Sequence, residues 1–284
     1  MPRWLLYSLL APVCWGVWGV VSKALEGLSA CQQQALSTLG IVPIMLALRA
    51  SPAWHEGRRK RRGLLFALVA GALVAVGNVA YYHALAAGAK AATAVSLTAL
   101  YPVATIVLAR FFLKEKPSRV QLAGIGGSLA SIWLLNLGQA EGLLSGSMFL
   151  ALAPIVLWGS AALVQKLATD DISAELGTFW FLAAFVPLGA LLLGAEGVPS
   201  TISSRDWWLV GLLGASYGLG NLALLAAYRH GGKASIVTPV TGLYPVVAIP
   251  LAVLWFGEHV DAYQLTGIVL ALVSVVALSL ERKP

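Results

Sequence analysis

Ten stretches of roughly twenty apolar residues follow one another with almost nothing between them: about 4–25, 32–50, 63–87, 91–113, 120–137, 145–168, 174–194, 207–229, 234–256 and 262–281. Coiled as an α-helix, a stretch of about 20 residues matches the thickness of a bilayer's hydrocarbon core. The connectors are short and polar or glycine-bearing, as at Glu26-Gly27, Gly88-Ala89-Lys90 and Gly231-Gly232-Lys233, which punctuates the segments without leaving room for a soluble domain. Only 11% of the 284 residues are charged, against about 25% in a soluble domain, so a water-facing surface is beyond this chain's means. The first stretch has no cleavage-like end and runs on into Lys23, so it reads as a span and not as a signal peptide. The expected fold is an all-α integral membrane protein with ten transmembrane helices.

The positive charges orient it. Of the 19 Lys and Arg residues, 16 fall on the side of the N-terminus if the stretches alternate, and Lys23, Lys90 and Arg205 fall on the other. The excess marks the cytoplasmic side, so both termini are expected to be cytoplasmic, as an even number of spans requires. Five of the positives form one run, Arg58-Arg59-Lys60-Arg61-Arg62. The net charge of +7 is therefore largely a juxtamembrane anchor, and no nucleic-acid surface is expected. Cys14 and Cys31 lie in mid-segment and past a segment's end, which argues against their pairing.

The chain is also a duplication. Set against itself at a shift of 143, residues 77–124 match 220–267 at 19 of 48 positions without a gap, where chance supplies about a tenth. Matched pairs include Asn78/Asn221, Lys90/Lys233, Thr98/Thr241, Tyr101/Tyr244, Pro102/Pro245 and Glu115/Glu258, and the same shift pairs Trp15-Gly16 with Trp158-Gly159. Residues 1–140 and 144–284 are thus expected to be two repeats of five spans each. Five is odd, so the second repeat enters the membrane inverted, the plan of many secondary transporters, with a site at the repeat interface near the midplane.

The ordered set Trp15-Gly16…Lys23, Gly88-Ala89-Lys90-Ala91-Ala92…Leu100-Tyr101-Pro102-Val103, Trp158-Gly159…Lys166 and Gly232-Lys233-Ala234-Ser235…Leu243-Tyr244-Pro245-Val246 resembles tandem EamA modules of the drug/metabolite transporter superfamily. The resemblance implies that helices 1–4 and 6–9 surround a central cavity. Helices 5 and 10 would sit peripherally, where they often contribute to a homodimer. It also implies export or exchange of small metabolites such as amino acids. Phosphate-carrying relatives place a lysine four residues before the mid-span proline; here those positions are Thr98 and Thr241, which argues against sugar phosphates and nucleotide sugars.

Depth selects the candidate residues. Trp15 and Trp158 lie near the centres of the first and sixth stretches, Asn78 and Asn221 near the middle of the third and eighth, and Thr98, Tyr101, Thr241 and Tyr244 centrally in the fourth and ninth. A side-chain amide in hydrocarbon needs a partner, so the asparagines face the interior, either as glue between helices or as substrate contacts. The deep aromatic residues are either core packing or walls of a wet cavity. Trp4, Trp54, Trp207 and Trp208 fit interfacial anchors, and His83 is the one histidine inside a stretch. Pro102 and Pro245 interrupt the fourth and ninth stretches, with Pro239 added in the ninth. Each removes an N–H and frees a carbonyl, which suits helices that bend or line a cavity.

No Asp or Glu lies at mid-depth, which argues against a buried-carboxylate proton or sodium relay. His55, His83, His230 and His259 are scattered and no H-E-x-x-H occurs, so neither an enzyme, a metal nor a cofactor is expected. The expectation is a secondary transporter in the lipid bilayer, moving a small neutral or zwitterionic metabolite by alternating access. Substrate binding falls to Trp15, Asn78, Thr98, Tyr101, Trp158, Asn221, Thr241 and Tyr244, and bending to Pro102, Pro239 and Pro245. Drug or sugar export is the second reading, and a non-transporting receptor or scaffold a third of another class.

Overall fold

A computed structural model describes residues 1–25, 27–86, 98–137, 146–257, 259 and 261–279. Lys90, Glu258, the connector at 139–142 and the beginning of the fourth stretch lie outside the described residues. Twelve α-helices are described: α1 (Arg3–Ala24), α2 (Ala30–Arg49), α3 (Lys60–Ala86), α4 (Tyr101–Leu108), α5 (Arg119–Leu137), α6 (Gly146–Asp171), α7 (Ala174–Ala183), α8 (Phe185–Glu196), α9 (Ser204–Arg229), α10 (Ala234–Thr241), α11 (Pro245–Phe256) and α12 (Ala262–Ser279). Among the described residues there is no strand beyond the isolated bridge Gly57–Ile172. Seven helical stretches are long and apolar enough to cross a membrane, counting α7–α8 and α10–α11 as one each.

The starts and breaks follow local chemistry. Ser29 and Gln32 form a reciprocal capping box at the start of α2, and the hydroxyls of Ser173 and Ser203 cap α7 and α9, each satisfying a backbone N–H that the first turn leaves open. The seventh stretch, expected to be continuous, is divided at Ala184 into α7 and α8. Pro187 lacks the N–H that would bond to Ala183, so the helix is interrupted there. The ninth is divided at 242–244 into α10 and α11, immediately before Pro245, and α4 likewise begins immediately before Pro102.

The two repeats are interlocked. α1 packs on α9 and α11, while its counterpart α6 packs on α3 and α4, so each first helix lies in the other repeat. Small residues make these crossings close. A Cβ on Gly77 would stand 2.5 Å from Trp158 Nε1, and one on Gly220 2.5 Å from Trp15 Cδ1; a Cβ on Gly159 would meet Ala104 Cβ at 2.6 Å, and one on Gly16 would meet Val247 Cβ at 2.6 Å. These four contacts are two pairs related by the shift of 143. α5 and α12 pack on each other at the side, where the Ser131 hydroxyl donates to the Gly267 carbonyl at 2.6 Å. The perimeter is apolar, with Leu254, Phe111 and Phe112 more than two-thirds exposed, whereas the interior holds buried serines, threonines and amides. That is the inverse of a water-soluble surface and suits a lipid surround.

Contacts gather the helix ends into two groups. At one end, Tyr7 stacks on His230 at 5.2 Å, Arg62 pairs with Asp171 at 3.0 Å, the Arg58 N–H donates to the Asp171 carbonyl at 2.8 Å, and Arg229 Nη1 donates to the Thr169 carbonyl at 3.2 Å. At the other end, Ser29 donates to the Glu196 carboxylate, Gln32 Nε2 donates to the Gly197 carbonyl at 3.3 Å, and Lys23 Nζ lies 4.9 Å from the Phe256 ring centre. Two residues sit otherwise than their sequence position suggests. Trp4 is 5% exposed and packs with Leu224, Leu225 and Tyr228 instead of anchoring at the rim, because the first turn of α1 is already covered by α9. His83 occupies the last turn of α3 and is exposed, with Nε2 3.8 Å from Cys31 Sγ.

Because a methyl group at a closed crossing has no room, Gly159→Ala and Gly220→Ala should each lower stability by about 1–3 kcal/mol. Gly126, with open space around it, should accept alanine without loss. Thermal unfolding of the purified variants in detergent checks both.

Candidate functional site

A central cavity lies where the crossed helices meet. Five of the eight expected binding residues line it: Trp15, Tyr101, Trp158, Asn221 and Tyr244. Trp18, Gln165 and Tyr217 join them, with Val74, Ala162 and Leu224 as apolar filler. Its volume is about 50 Å³ on the measure by which one water needs roughly 10–15 Å³. That is room for a few waters.

Asn78, Thr98 and Thr241 stand behind this lining, each at most 1% exposed. The threonines serve the tyrosines across the repeats. Thr98 Oγ1 lies 2.7 Å from the Tyr244 hydroxyl, and Thr241 Oγ1 2.6 Å from the Tyr101 hydroxyl. Threonine and tyrosine thus pair across the repeats and not within one stretch. The breaks before Pro102 and Pro245 turn the chain between the two residues, so each phenol meets the hydroxyl of the other repeat. The breaks themselves touch: a Cβ on Gly242 would stand 2.7 Å from Pro102 Cγ and 3.3 Å from the Ala99 carbonyl. Pro239 lies within the buried helix α10.

The asparagines, equivalent in sequence, differ in use. Asn221 Nδ2 donates to the Tyr217 carbonyl at 2.9 Å and Asn221 Oδ1 accepts from Gln165 Nε2 at 3.2 Å, whereas Asn78 Oδ1 is buried without a hydrogen-bond partner. The Tyr217 phenol faces both amides. Around them the rings form a continuous cluster. Trp18 stacks on Tyr81 at 4.8 Å, meets Trp158 edge-on at 6.0 Å and Tyr217 at 5.8 Å, and donates its N–H to the Tyr82 hydroxyl at 3.1 Å. The indole N–H groups of Trp15 and Trp158 have no partner because each is pressed onto a glycine of the other repeat.

Trp18 and Gln165 were not among the expected residues. Trp18 is one turn beyond Trp15 and shares its face, a signal that helical spacing does carry. Gln165 stands near the end of its apolar stretch, but α6 continues to Asp171, which places the amide inside the bundle at 2% exposure. Among the described residues, none that lines the cavity carries a formal charge. Among the described residues, no three His, Cys, Asp or Glu side chains meet as a metal site requires.

Charge instead closes one end. The Glu115 carboxylate accepts from the N–H groups of Ala234 and Ser235 at 2.9 and 2.8 Å and from the Ser235 hydroxyl at 2.6 Å. An anion thus caps the first turn of α10 in the other repeat, where backbone N–H groups and the helix dipole both favour it. Breaking one partner of the buried Tyr101–Thr241 pair should cost about 1–3 kcal/mol, while removing both should cost less than the two single changes together. Unfolding of Tyr101→Phe, Thr241→Val and the double variant measures that coupling, and Thr98–Tyr244 should give the same sign.

The profile of the EamA-like transporter family matches the chain twice, over residues 2–137 and 145–280. The "Probable terminal-alkyne amino-acid exporter" of Streptantibioticus cattleyicolor is 26% identical over 261 residues, covering 86% of this chain and 82% of that protein. The "Pseudopaline exporter CntI" of Pseudomonas aeruginosa is 25% identical over 249 residues, covering 87% and 84%. A solved crystal structure superposes with a TM-score of 0.77 at 17% identity, over 97% of this chain and 96% of that one, a likeness of fold. With the all-helical bundle, apolar perimeter and central cavity described above, the double match identifies this chain as a transporter and a multi-pass membrane protein, not an enzyme, and it belongs to the EamA-like transporter family.

Proposed function

We propose that the protein is an exporter or exchanger of a small neutral or zwitterionic metabolite such as an amino acid, working by alternating access. The observation that carries this reading is the central cavity, aromatic and amide-lined and, among the described residues, free of formal charge. A net ion brought into it would lose hydration without gaining a counter-charge, whereas a compact solute with an apolar part and hydrogen-bonding groups matches its walls. The printed names of the two relatives, both exporters and one of an amino acid, agree with this class. Trp15, Trp158, Asn78, Asn221 and the two threonine–tyrosine pairs form the site, and the touching breaks at Pro102 and Pro245, with Pro239, are where helices bend.

Ten spans in two inverted repeats, 1–140 and 144–284, with both termini cytoplasmic, complete the proposal. The grouping of helix ends supports it, since residues 56–62, 115, 169–173 and 229–235 all belong to the cytoplasmic side in this arrangement and residues 23–32, 196–197 and 256 to the other. Dimerisation through α5 and α12 belongs to the same family-based reading, although the site is complete in one chain.

Counterflow in proteoliposomes tests transport, because only a carrier exchanges labelled for unlabelled solute. Tyr101→Phe, Tyr244→Phe, Thr98→Val and Thr241→Val should each weaken apparent affinity several-fold, as loss of about 0.5–1.5 kcal/mol implies. Normal transport in all four would move the site elsewhere. In a chain with Cys14 and Cys31 replaced by serine, His55→Cys should react only from the cytoplasmic face and Val198→Cys only from outside; labelling of both from one face would overturn the topology. Glu115→Gln keeps an acceptor but loses the charge at α10, so it should change the transport rate and leave any dependence on a proton gradient in place.

A further inference from the structure

The repeat that builds the cavity also limits what its matched residues can do. Trp15/Trp158 and Tyr101/Tyr244 present the same groups from two related directions, so they cannot tell one end of a solute from the other. Orientation has to come from lining positions where the repeats differ. At a shift of 143 these are Trp18 against Ala161, Gly19 against Ala162, Ser22 against Gln165, Val74 against Tyr217 and Tyr81 against Leu224. Ser22 against Gln165 is the one of these that is polar in both repeats. Ser22 is committed, its hydroxyl donating to the Gly19 carbonyl at 2.7 Å and lying 3.4 Å from the Tyr81 hydroxyl. Gln165 is not.

The amide chain fixes which atom Gln165 offers. The Tyr217 carbonyl can only accept, so Asn221 must turn its NH₂ toward it, which agrees with the 2.9 Å contact. Asn221 Oδ1 then faces Gln165 at 3.2 Å and can only accept, so Gln165 gives its Nε2 hydrogen there. Each amide flip is set by its neighbour, starting from a group with no choice. Gln165 Oε1 is left over, an acceptor on a residue that lines the cavity and is 2% exposed. Of the phenols that share the cavity, Tyr101 and Tyr244 already have threonine partners, and Tyr217 faces Asn221 and Asn78. Lining the same cavity are the rings of Trp18, Trp158 and Tyr217, whose π-faces carry partial negative charge and attract a cationic or N–H-bearing group.

Resting on the transport reading above, we propose that Gln165 determines specificity: its Oε1 accepts a hydrogen bond from the amino group of the solute, and the aromatic wall holds the solute's apolar part. The substrate class is then an amine-bearing amphiphile, with the free amino group as the feature read. Acylating that nitrogen removes its charge and most of its donors, whereas removing the carboxylate leaves the recognised group intact.

The test is counterflow by the full-length reconstituted protein with three solute sets: apolar and aromatic amino acids, the same acids N-acetylated, and the corresponding decarboxylated amines. The wild type should prefer the free amino acids over the N-acetylated set by roughly tenfold, the size of one hydrogen bond to a charged group. Gln165→Met, similar in volume but without the acceptor, should reduce that preference to about twofold or less. Gln165→Glu puts a carboxylate at the same place and should shift preference toward the decarboxylated amines by roughly tenfold. If Gln165→Met does not elute as a folded species, Gln165→Glu decides alone. Retention of the wild-type discrimination in Gln165→Met, an unchanged amine-to-amino-acid ratio in Gln165→Glu, or equal exchange of free and N-acetylated acids by the wild type would each overturn this inference while leaving transport standing. A wild type that exchanges none of the three sets would overturn the transport reading itself.

Discussion

Everything central in this protein hangs on a tryptophan of one repeat seated on a glycine of the other. Trp15 lies against Gly220 and Trp158 against Gly77. Within lipid there is no hydrophobic gain in bringing two helices together, so close van der Waals contact and satisfied polar groups must do the holding. A glycine gives an indole room to lie flat against a helix backbone, and two such seats fix α1 on α9 and α6 on α3. The threonine–tyrosine pairs and the touching prolines fall into place between them. The cavity is the space these crossings leave, so its walls come from both repeats and neither repeat holds a site alone.

Why the polar groups are arranged as they are follows from the same absence of water. Each hydroxyl and amide near the centre has to be met by protein, by solute or by trapped water. Thr98 and Thr241 meet tyrosines, Asn221 meets Gln165, and Ser22 meets its own helix. Asn78 Oδ1 and the indole N–H groups of Trp15 and Trp158 are left unmet near the cavity, and Gln34 and Thr178 are among those left unmet elsewhere in the interior. Ionised groups are kept to the ends, where Glu115, Glu196, Arg62 and Asp171 tie one repeat to the other.

Much of the fold was legible in the sequence because a bilayer imposes one length and one chemistry on every span, and because a duplication announces itself at a fixed shift. The helix breaks at Pro102 and Pro245 were legible for the same reason that proline is legible anywhere. The break at Ala184 was missed, although Pro187 carries the same signal, because the hydropathy of 174–194 is uninterrupted. In the site, depth found Trp15, Trp158, Tyr101, Tyr244 and Asn221. It could not show that Thr98 and Thr241 serve the opposite repeat, since pairing across an interface has no spacing in the chain. Gln165 was missed because a polar residue near the end of an apolar stretch reads as interfacial, whereas here other helices cover that end. Trp4 was misjudged for the same reason.

The reciprocity of the tryptophan seats has a consequence for the protein's past. A contact in which residue i of one repeat meets residue j of the other, and j meets i, is the contact that two identical copies make around a twofold axis. A single ancestral repeat could have formed this core by pairing with itself, tryptophan as knob and glycine as socket on the same polypeptide. While the halves were encoded once, any change at one wall appeared at the other, and the chamber could not distinguish its two sides. Fusion removed that tie. Gln165 opposite Ser22 and Trp18 opposite Ala161 are differences that one sequence used twice could not hold, so the walls of the cavity are free to differ while the scaffold around them keeps its symmetry.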